Sequence, residues 1–245
     1  MLARKLHEMM MDEAQISARS LELLHSELPF FDELIELILD FLNRDRNMQA
    51  GETKYYLMCS LVRTQLTKAC LCMIRLHVGD GFSASRLAAD AALFALLMAM
   101  GMLSETDYLE SERARNNSIR LLSQRIREGA AFPAIVTAVW QVRNMHSPYA
   151  HADPVSLAGR VLHNANGTIA CSSFQNMEDQ QFRYYFMGML WVGAMCLRAF
   201  LHVQETAYRE DVTYFNQRLD RWKARIRNHR RERGIYPERG DEEGF

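Results

Sequence analysis

The segment Trp140–Pro154 (WQVRNMHSPYAHADP) concentrates the side chains that could do chemistry. It holds His146 and His151, whose imidazoles could move a proton, because the unperturbed pKa of histidine is about 6.5. Arg143, at its start, could hold a phosphate through two parallel N–H groups. We therefore take Arg143, His146 and His151 as candidate catalytic residues.

A second polar feature lies inside the most apolar stretch of the chain. Within residues 83–103 the only charged side chains are Arg86 and Asp90, which are four positions apart and so share one face of a helix. Charges in so apolar a helix need partners, and we expect them to meet the Arg143 segment. A salt bridge on the solvated rim of the fold is the alternative. The predicted polar network comprises Arg86, Asp90, Asn144, Ser147, Tyr149 and Asp153.

Helical periodicity along most of the chain predicts an all-α, up-down helical bundle. Four long helices carry the predicted core: 52–77, 83–103, 131–147 and 179–203. Further helices are predicted at 2–27, 30–44 and 209–231, and residues 107–128 are predicted to be a surface helix or an elongated connection. The glycines of VGDG (78–81) are expected to end the first core helix. Asn166-Gly167 lies between two alternating runs and predicts one short β-hairpin, at about 160–171, lying as a flap on the helices.

This pattern divides the chain into three parts. Residues 1–50 form an N-terminal helical arm packed on the bundle, residues 51–205 form the bundle with its hairpin, and residues 206–245 form a basic helix and a tail. The first two helices carry apolar stripes that we expect to be exposed and to need a partner, which predicts a homodimer.

Composition excludes several classes of protein. The net charge of −1 gives no global attraction to nucleic acid, so such binding needs a local patch. The five cysteines form no CxxC pair, as in a reduced cytoplasmic protein. No HxxxH or Cys–His spacing indicates a metal, and no cofactor is expected. The apolar runs 87–103 and 186–203 are interrupted by Asp90 and Arg198, so membrane insertion is not expected.

Basic residues crowd the last predicted helix between Arg221 and Arg233, against only Asp220 and Glu232. Such a run can follow a line of phosphates. The alternative is a solvated helix whose last turns favour cations near the negative end of the helix dipole. The candidate nucleic-acid-binding residues are Arg225, Arg227, Arg230 and Arg231.

Two short motifs support a resemblance to a known group of proteins. They are R-x-x-x-acid (Arg86 and Asp90) and S-x-x-x-H-x-x-P (Ser147, His151 and Pro154), followed by a hairpin and a closing helix. Over residues 52–203 this layout resembles a bacterial helical-bundle family of unknown function. That family is similar to the HEPN superfamily, the nucleotide-binding bundles of higher eukaryotes and prokaryotes.

The resemblance implies a metal-independent ribonuclease, because many HEPN proteins cleave RNA with an arginine and a histidine that are doubled across a dimer. The histidine would act as acid or base on the ribose 2′-OH, and the arginine would stabilise the phosphorane. In this chain seven residues separate Arg143 from His151 and two separate it from His146, which is out of register with the HEPN motif.

A structural role for the same residues is also open. His151 could join Ser147, Asp153 and Arg143 in a capping network that ties a helix end to the hairpin. Three functions follow: an interaction or accessory protein of a bacterial stress or phage-defence system, a ribonuclease using the Arg/His cluster, or a nucleic-acid-binding module that uses the basic C-terminal helix. The partner would be a protein for the first function and RNA or another nucleic acid for the other two.

Overall fold

The computed structural model describes residues 2–44, 51–145, 161–163, 169–171 and 177–235, and helices make up most of them. The predicted all-helical bundle is confirmed. Its helices are α1 (Leu2–Leu23), α2 (Leu28–Asn43), α3 (Thr53–Ile74), α4 (Val78–Ala99), α5 (Glu105–Glu110), α6 (Glu112–Arg127), α7 (Ala134–Met145), α8 (Asp179–Ala207) and α9 (Thr213–Glu232).

The centre of the bundle is built by α3, α4 and α8, with α7 packed beside α4 and α8. Helix α4 is buried on most sides because it is apolar around most of its circumference. Its alanines, of which Ala88, Ala92 and Ala95 are fully buried, let neighbouring helices come close. One continuous cluster of buried side chains runs from Leu24, just after α1, to Ile235, just after α9, so the chain from the α1–α2 turn onward shares one core.

The two N-terminal helices differ in how they meet this core. Helix α2 packs against α3, α8 and α9. Its buried side chains are Leu34, Leu37, Ile38 and Phe41. The apolar stripe that the sequence led us to expect on the surface is therefore covered by the chain itself. Helix α1 keeps an apolar surface, since Met9, Met10 and Met11 are 45%, 59% and 50% exposed.

The prediction that VGDG ends a helix was wrong. Helix α3 already ends at Ile74, Leu76 makes the turn with a φ of 55°, and VGDG forms the first turn of α4. A Cβ on Gly81 would lie 3.1 Å from Met73 Cε and 3.2 Å from the Ala69 carbonyl oxygen. The glycine is therefore needed for close packing of α4 on α3.

The segment 107–128, predicted as a surface helix or an elongated connection, is covered by two helices, α5 and α6. Ser111 has an extended backbone with φ −129° and ψ 99°, and it separates α5 from α6. Its hydroxyl oxygen accepts a hydrogen bond from the Ala114 N–H at 3.1 Å, so Ser111 is the N-cap of α6.

Two short strands lie where the sequence predicts the hairpin. Val161–His163 (β1) pairs antiparallel with Ile169–Cys171 (β2), with Val161 opposite Cys171 and His163 opposite Ile169. The Asn166-Gly167 turn lies outside the described residues. The predicted flap on the helices is not seen: in the described part of the chain, extensive contacts join helices to helices and the strands to each other.

Three helices, α3, α4 and α8, are long and apolar enough to cross a membrane, judged by length and composition only. In the bundle, 67% of the apolar window of α4 and 78% of that of α8 is buried, against 39% for α3. Packing within the chain therefore covers most of the apolar surface of α4 and α8.

Candidate functional site

The sequence-predicted residues that the structure brings together lie where α4 meets α7; we call Arg86, Asp90, Arg143 and Asn144 the Arg–Asp cluster. The Arg143 Nε–H donates to Asp90 Oδ1 at 2.5 Å, and the Arg143 Nη1–H donates to Asn144 Oδ1 at 3.0 Å. Arg86 Nε lies 3.7 Å from Asp90 Oδ2, which makes a longer ion pair. One carboxylate therefore faces two guanidinium groups.

The backbone explains this placement. Arg86 and Asp90 are one turn apart on the side of α4 that is only half-buried, between its fully buried faces. Helix α7 buries Val136, Val139 and Val142 against the bundle. Arg143 lies four residues after Val139 and seven after Val136, on the same face of α7, so its side chain reaches α4.

The cluster is largely shielded from solvent. The side chains of Arg86 and Arg143 are each 13% exposed, and that of Asp90 is 19% exposed. Burial and the neighbouring Arg143 lower the pKa of Arg86, while Asp90 acts in the opposite direction. Arg86, Asp90 and Arg143 therefore form one mostly buried ionic contact between α4 and α7 and not a solvated salt bridge on the rim. The rest of the predicted network stays a prediction.

The other predicted members of this site cannot be placed. His146, Ser147, Tyr149, His151 and Asp153 lie outside the described residues. The candidate catalytic set is therefore represented by Arg143 alone. The described part of the Arg–Asp cluster can hold α4 and α7 together. Its two arginines and one aspartate leave one excess positive charge, which would attract an anion.

A second buried ionic cluster was missed by sequence reasoning. Glu27, in the turn between α1 and α2, is fully buried. Its Oε1 accepts a hydrogen bond from Arg183 Nη1 at 2.6 Å and lies 3.0 Å from His229 Nε2. The Ser26 hydroxyl donates to its Oε2 at 3.1 Å. These contacts hold the turn against α8 and α9. Sequence reasoning missed the cluster because Glu27, Arg183 and His229 are too far apart in the sequence to form a local motif.

The candidate nucleic-acid-binding residues lie on α9, and each has a different environment. Arg225 forms an ion pair with Glu33 of α2, and the Arg227 Nε–H donates to the Lys223 carbonyl oxygen at 3.3 Å. The Arg230 guanidinium lies 5.7 Å from the centre of the Tyr184 ring, and Arg231 is exposed.

Further contacts place α9 against α2. Arg218 forms an ion pair with Asp40, and the buried Trp222 donates its indole N–H to the Phe30 carbonyl oxygen at 2.9 Å. Acids of α2 therefore neutralise part of the positive charge of α9, on the side where the two helices meet.

The described residues give little support for a metal site or for a nucleophilic cysteine. Among the described residues, no three His, Cys, Asp or Glu side chains are grouped as they would be around a metal ion. Burial raises the pKa of the Cys59 and Cys70 thiols to about 12, and it also raises that of Cys196. Such thiols are poor nucleophiles at neutral pH.

Fold and site together define an all-helical bundle with two buried ionic clusters. Comparisons with protein-family models, with curated proteins and with solved structures found no match to this chain. The HEPN resemblance therefore rests on the sequence motifs alone.

Proposed function

We propose that the protein is a non-enzymatic interaction or accessory protein. The observation that carries this proposal is the state of Arg143, whose Nε–H and Nη1–H both donate to acceptors within the same chain. An arginine that stabilises a phosphorane must aim its donors at the place where negative charge develops. The Arg143 Nε–H is instead directed at Asp90, where it holds α7 on α4, and the Nη1–H is directed at Asn144 of the same helix.

The test is RNA cleavage by the purified full-length protein. Labelled single-stranded RNA is incubated without metal with the wild type, with Arg143→Ala and with His151→Ala. We expect no cleavage by any of them above a mock preparation from cells that lack the gene. Cleavage by the wild type that both substitutions abolish, while circular dichroism shows them folded, would overturn the proposal.

That outcome would favour the second candidate, a metal-independent HEPN-like ribonuclease. One observation supports it: Arg86 and Arg143 set two positive charges against the single carboxylate of Asp90. In this alternative the excess charge attracts the scissile phosphate, and His151 or His146 moves the proton.

For the partner, we propose a second copy of the chain, in a cytoplasmic dimer of a bacterial stress or phage-defence type. The exposed Met9, Met10 and Met11 of α1 support self-association. Multi-angle light scattering at micromolar concentration should give twice the chain mass. A monomer would contradict the dimer, and recovery of the native protein in the membrane fraction after a high-salt wash would contradict the cytoplasmic location.

The third candidate, nucleic-acid binding through α9, is weakened by the pairing of Arg225 with Glu33. If α9 does bind phosphates, filter binding should show an affinity that falls steeply with salt and is lost in a variant with Arg227, Arg230 and Arg231 changed to Gln. A signal that is absent, or that does not depend on salt, would exclude this candidate.

A further inference from the structure

The outer face of α6 carries a row of long polar side chains that none of these functions uses. Arg113, Asn117, Arg120, Gln124 and Arg127 follow one another at intervals of three or four residues. At 3.6 residues per turn these five positions fall within about 80° of the helix circumference. We call them the α6 polar row.

The row faces solvent. All five of its members are exposed, whereas Ser118 and Leu122, on the opposite side of α6, are buried against the bundle. The packing of α6 thus fixes which side is presented, and the row extends over roughly 21 Å from Arg113 to Arg127 at 1.5 Å per residue.

The positive charge of this face is largely unneutralised. Helix α6 contains five arginines and one acidic residue, Glu112. Within the part of the chain that the structure describes, neither Arg113 nor Arg120 forms an ion pair or a hydrogen bond. Arg127 donates its Nε–H to the Ser123 carbonyl oxygen at 3.3 Å, which leaves its charge uncompensated. On α9, by contrast, Arg218 and Arg225 meet acids of α2, although Arg227 donates only to a carbonyl oxygen of its own helix.

An open groove of about 670 Å³ runs beside the row. Met102, Leu103 and the 41% exposed Leu121 line its apolar part, and four members of the row line its polar part. The one carboxylate in its lining, Asp107, accepts a hydrogen bond from the Ser104 hydroxyl at 2.7 Å. Outside the groove lining, Glu128 accepts a hydrogen bond from the Gln124 amide at 2.8 Å.

We propose that the α6 polar row binds the phosphate backbone of a nucleic acid. Arg113, Arg120 and Arg127 follow each other at roughly 10 Å along the helix axis, which matches about three nucleotides at 3.4 Å each. The row would therefore cover about six nucleotides. Arginine and asparagine side chains are common donors to phosphate oxygens, and such contacts fix position without reading sequence.

Other polyanions fit this face less well. An amphipathic helix that binds an acidic membrane inserts its apolar side, but the apolar side of α6 is packed against the bundle, where Leu122 is fully buried. An acidic protein would need carboxylates placed at the same repeat of roughly 10 Å, whereas every nucleic acid carries phosphates along its whole backbone. The inference does not depend on the proposed function, because the row and the Arg–Asp cluster lie on different helices.

The test is fluorescence anisotropy of short labelled RNA, single-stranded DNA and duplex DNA with the full-length protein, from about 50 to 200 mM salt. One variant changes Arg113, Arg120 and Arg127 to Gln. Its matched control changes three exposed arginines of α9 (Arg221, Arg227 and Arg231) to Gln, so both variants lose the same charge. Circular dichroism and the urea midpoint check that both are folded.

We expect the α6 variant to bind at least about tenfold more weakly at low salt, and the slope of log affinity against log salt to fall in magnitude by roughly two to three. The α9 control should change affinity less than about twofold. Lack of binding by the wild type, equal losses in the two variants, or a loss confined to the α9 control would each overturn the proposal. So would binding to phosphatidylserine vesicles, sensitive to the α6 variant, when no nucleic acid binds.

Discussion

At the residue scale, the Arg–Asp cluster makes the clearest energetic prediction. Replacing Asp90 or Arg143 with Ala removes a short charge-assisted hydrogen bond and leaves its partner mostly buried. Each single substitution should lower the free energy of unfolding by about 1–3 kcal/mol. The double substitution should cost less than the sum, with a coupling of about 1 kcal/mol or more, since both removals disrupt one interaction.

Urea denaturation of the four proteins in this double-mutant cycle measures that coupling. Arg198, which forms an ion pair with Asp220 of α9 and none with Asp90, offers a matched control. Arg198→Ala combined with Asp90→Ala should give additive losses. A coupling near zero between Asp90 and Arg143 would mean that the observed contact does not hold α7 on α4.

The buried carboxylate of Glu27 should matter more than any exposed acid. Glu27→Gln keeps the size of the side chain but removes the charge that faces Arg183, whose side chain is 16% exposed. We expect a loss of about 3 kcal/mol in the free energy of unfolding, as is usual when a buried pair loses one charge. The control Glu33→Gln removes a pair whose side chains are 55% and 39% exposed, and it should cost about 0.5 kcal/mol or less. Equal losses would contradict this account.

The thiols give a prediction about pH. The pKa of Cys59 and Cys70 is raised from 9.0 to about 12 in the folded protein, so the folded state holds these protons more tightly than the unfolded state. Their contribution to stability is fully present below pH 9 and is lost as the pH rises through the window from 9 to about 12. At neutral pH a thiol reagent should therefore modify the half-buried Cys72 before these two.

Ellman's reagent checks this order in a Cys171→Ser background, with and without denaturant. In the native protein one thiol should react quickly, and a Cys72→Ser variant should lose that phase. Fast reaction of Cys59 or Cys70 at neutral pH would contradict the burial of those thiols.

At the element scale, two glycines of α8 form a natural comparison. A Cβ on Gly193 would lie 2.8 Å from Leu34 Cδ2 and 2.9 Å from Leu66 Cδ1, both buried in the core, whereas a Cβ on Gly188 meets nothing within 4 Å. Gly188→Ala should stabilise the protein by about 0.5–1 kcal/mol through helix propensity. Gly193→Ala should destabilise it by about 1–2 kcal/mol, because crowding of α2 and α3 outweighs that gain.

Thermal denaturation of the two variants tests this sign difference directly, since both substitutions are in the same helix and have the same chemistry. Stabilisation by both would mean that α2 and α3 can move away from α8 at little cost.

The elements also show what could be read from the sequence. The almost uninterrupted apolar runs of α4 and α8 correctly predict that these helices lie at the centre of the bundle, because burial of apolar surface is the largest favourable term in folding. The role of Gly81 could not be predicted, since a glycine that allows close packing and one that ends a helix look alike without the neighbouring helix. Ser111 was missed as a cap because the charged residues on both sides of it continue a helical pattern.

Some residues of the two ionic clusters could be predicted from the sequence and others could not. Arg86 and Asp90 could be found because two charges stand out in an apolar helix, and their contact with Arg143 could be anticipated because buried charges need partners. Glu27 left no such signal, since a glutamate in a polar turn looks solvated until α8 and α9 cover it. Nor does the sequence show that Arg218 and Arg225 of α9 meet acids of α2, while Arg113 and Arg120 of α6 meet none within the described residues.

At the scale of the whole molecule, the N-terminal arm and the C-terminal helix are joined to the central bundle in one core. Trp222 of α9 donates its indole N–H to Phe30 of α2, and Leu34 of α2 lies against α8 beside Gly193. Charge pairs between α2 and α9 reinforce these contacts. We therefore expect the arm, the bundle and the basic helix to unfold together and not as separate units.

This expectation can be tested by perturbing the arm and observing the opposite side of the bundle. Leu34→Ala removes a side chain that is 1% exposed and should cost about 2–5 kcal/mol. The reporter is the fluorescence of Trp140 on α7, read as the difference from a Trp140→Phe variant, so that Trp222 and its contact with Phe30 are kept. If the chain unfolds as one unit, Leu34→Ala shifts the urea midpoint of Trp140 fluorescence as much as that of far-ultraviolet circular dichroism. The control Leu109→Ala changes a side chain that is 68% exposed and should shift neither of the two urea midpoints. If Leu34→Ala leaves the midpoint of Trp140 fluorescence unchanged, α2 unfolds independently of α7.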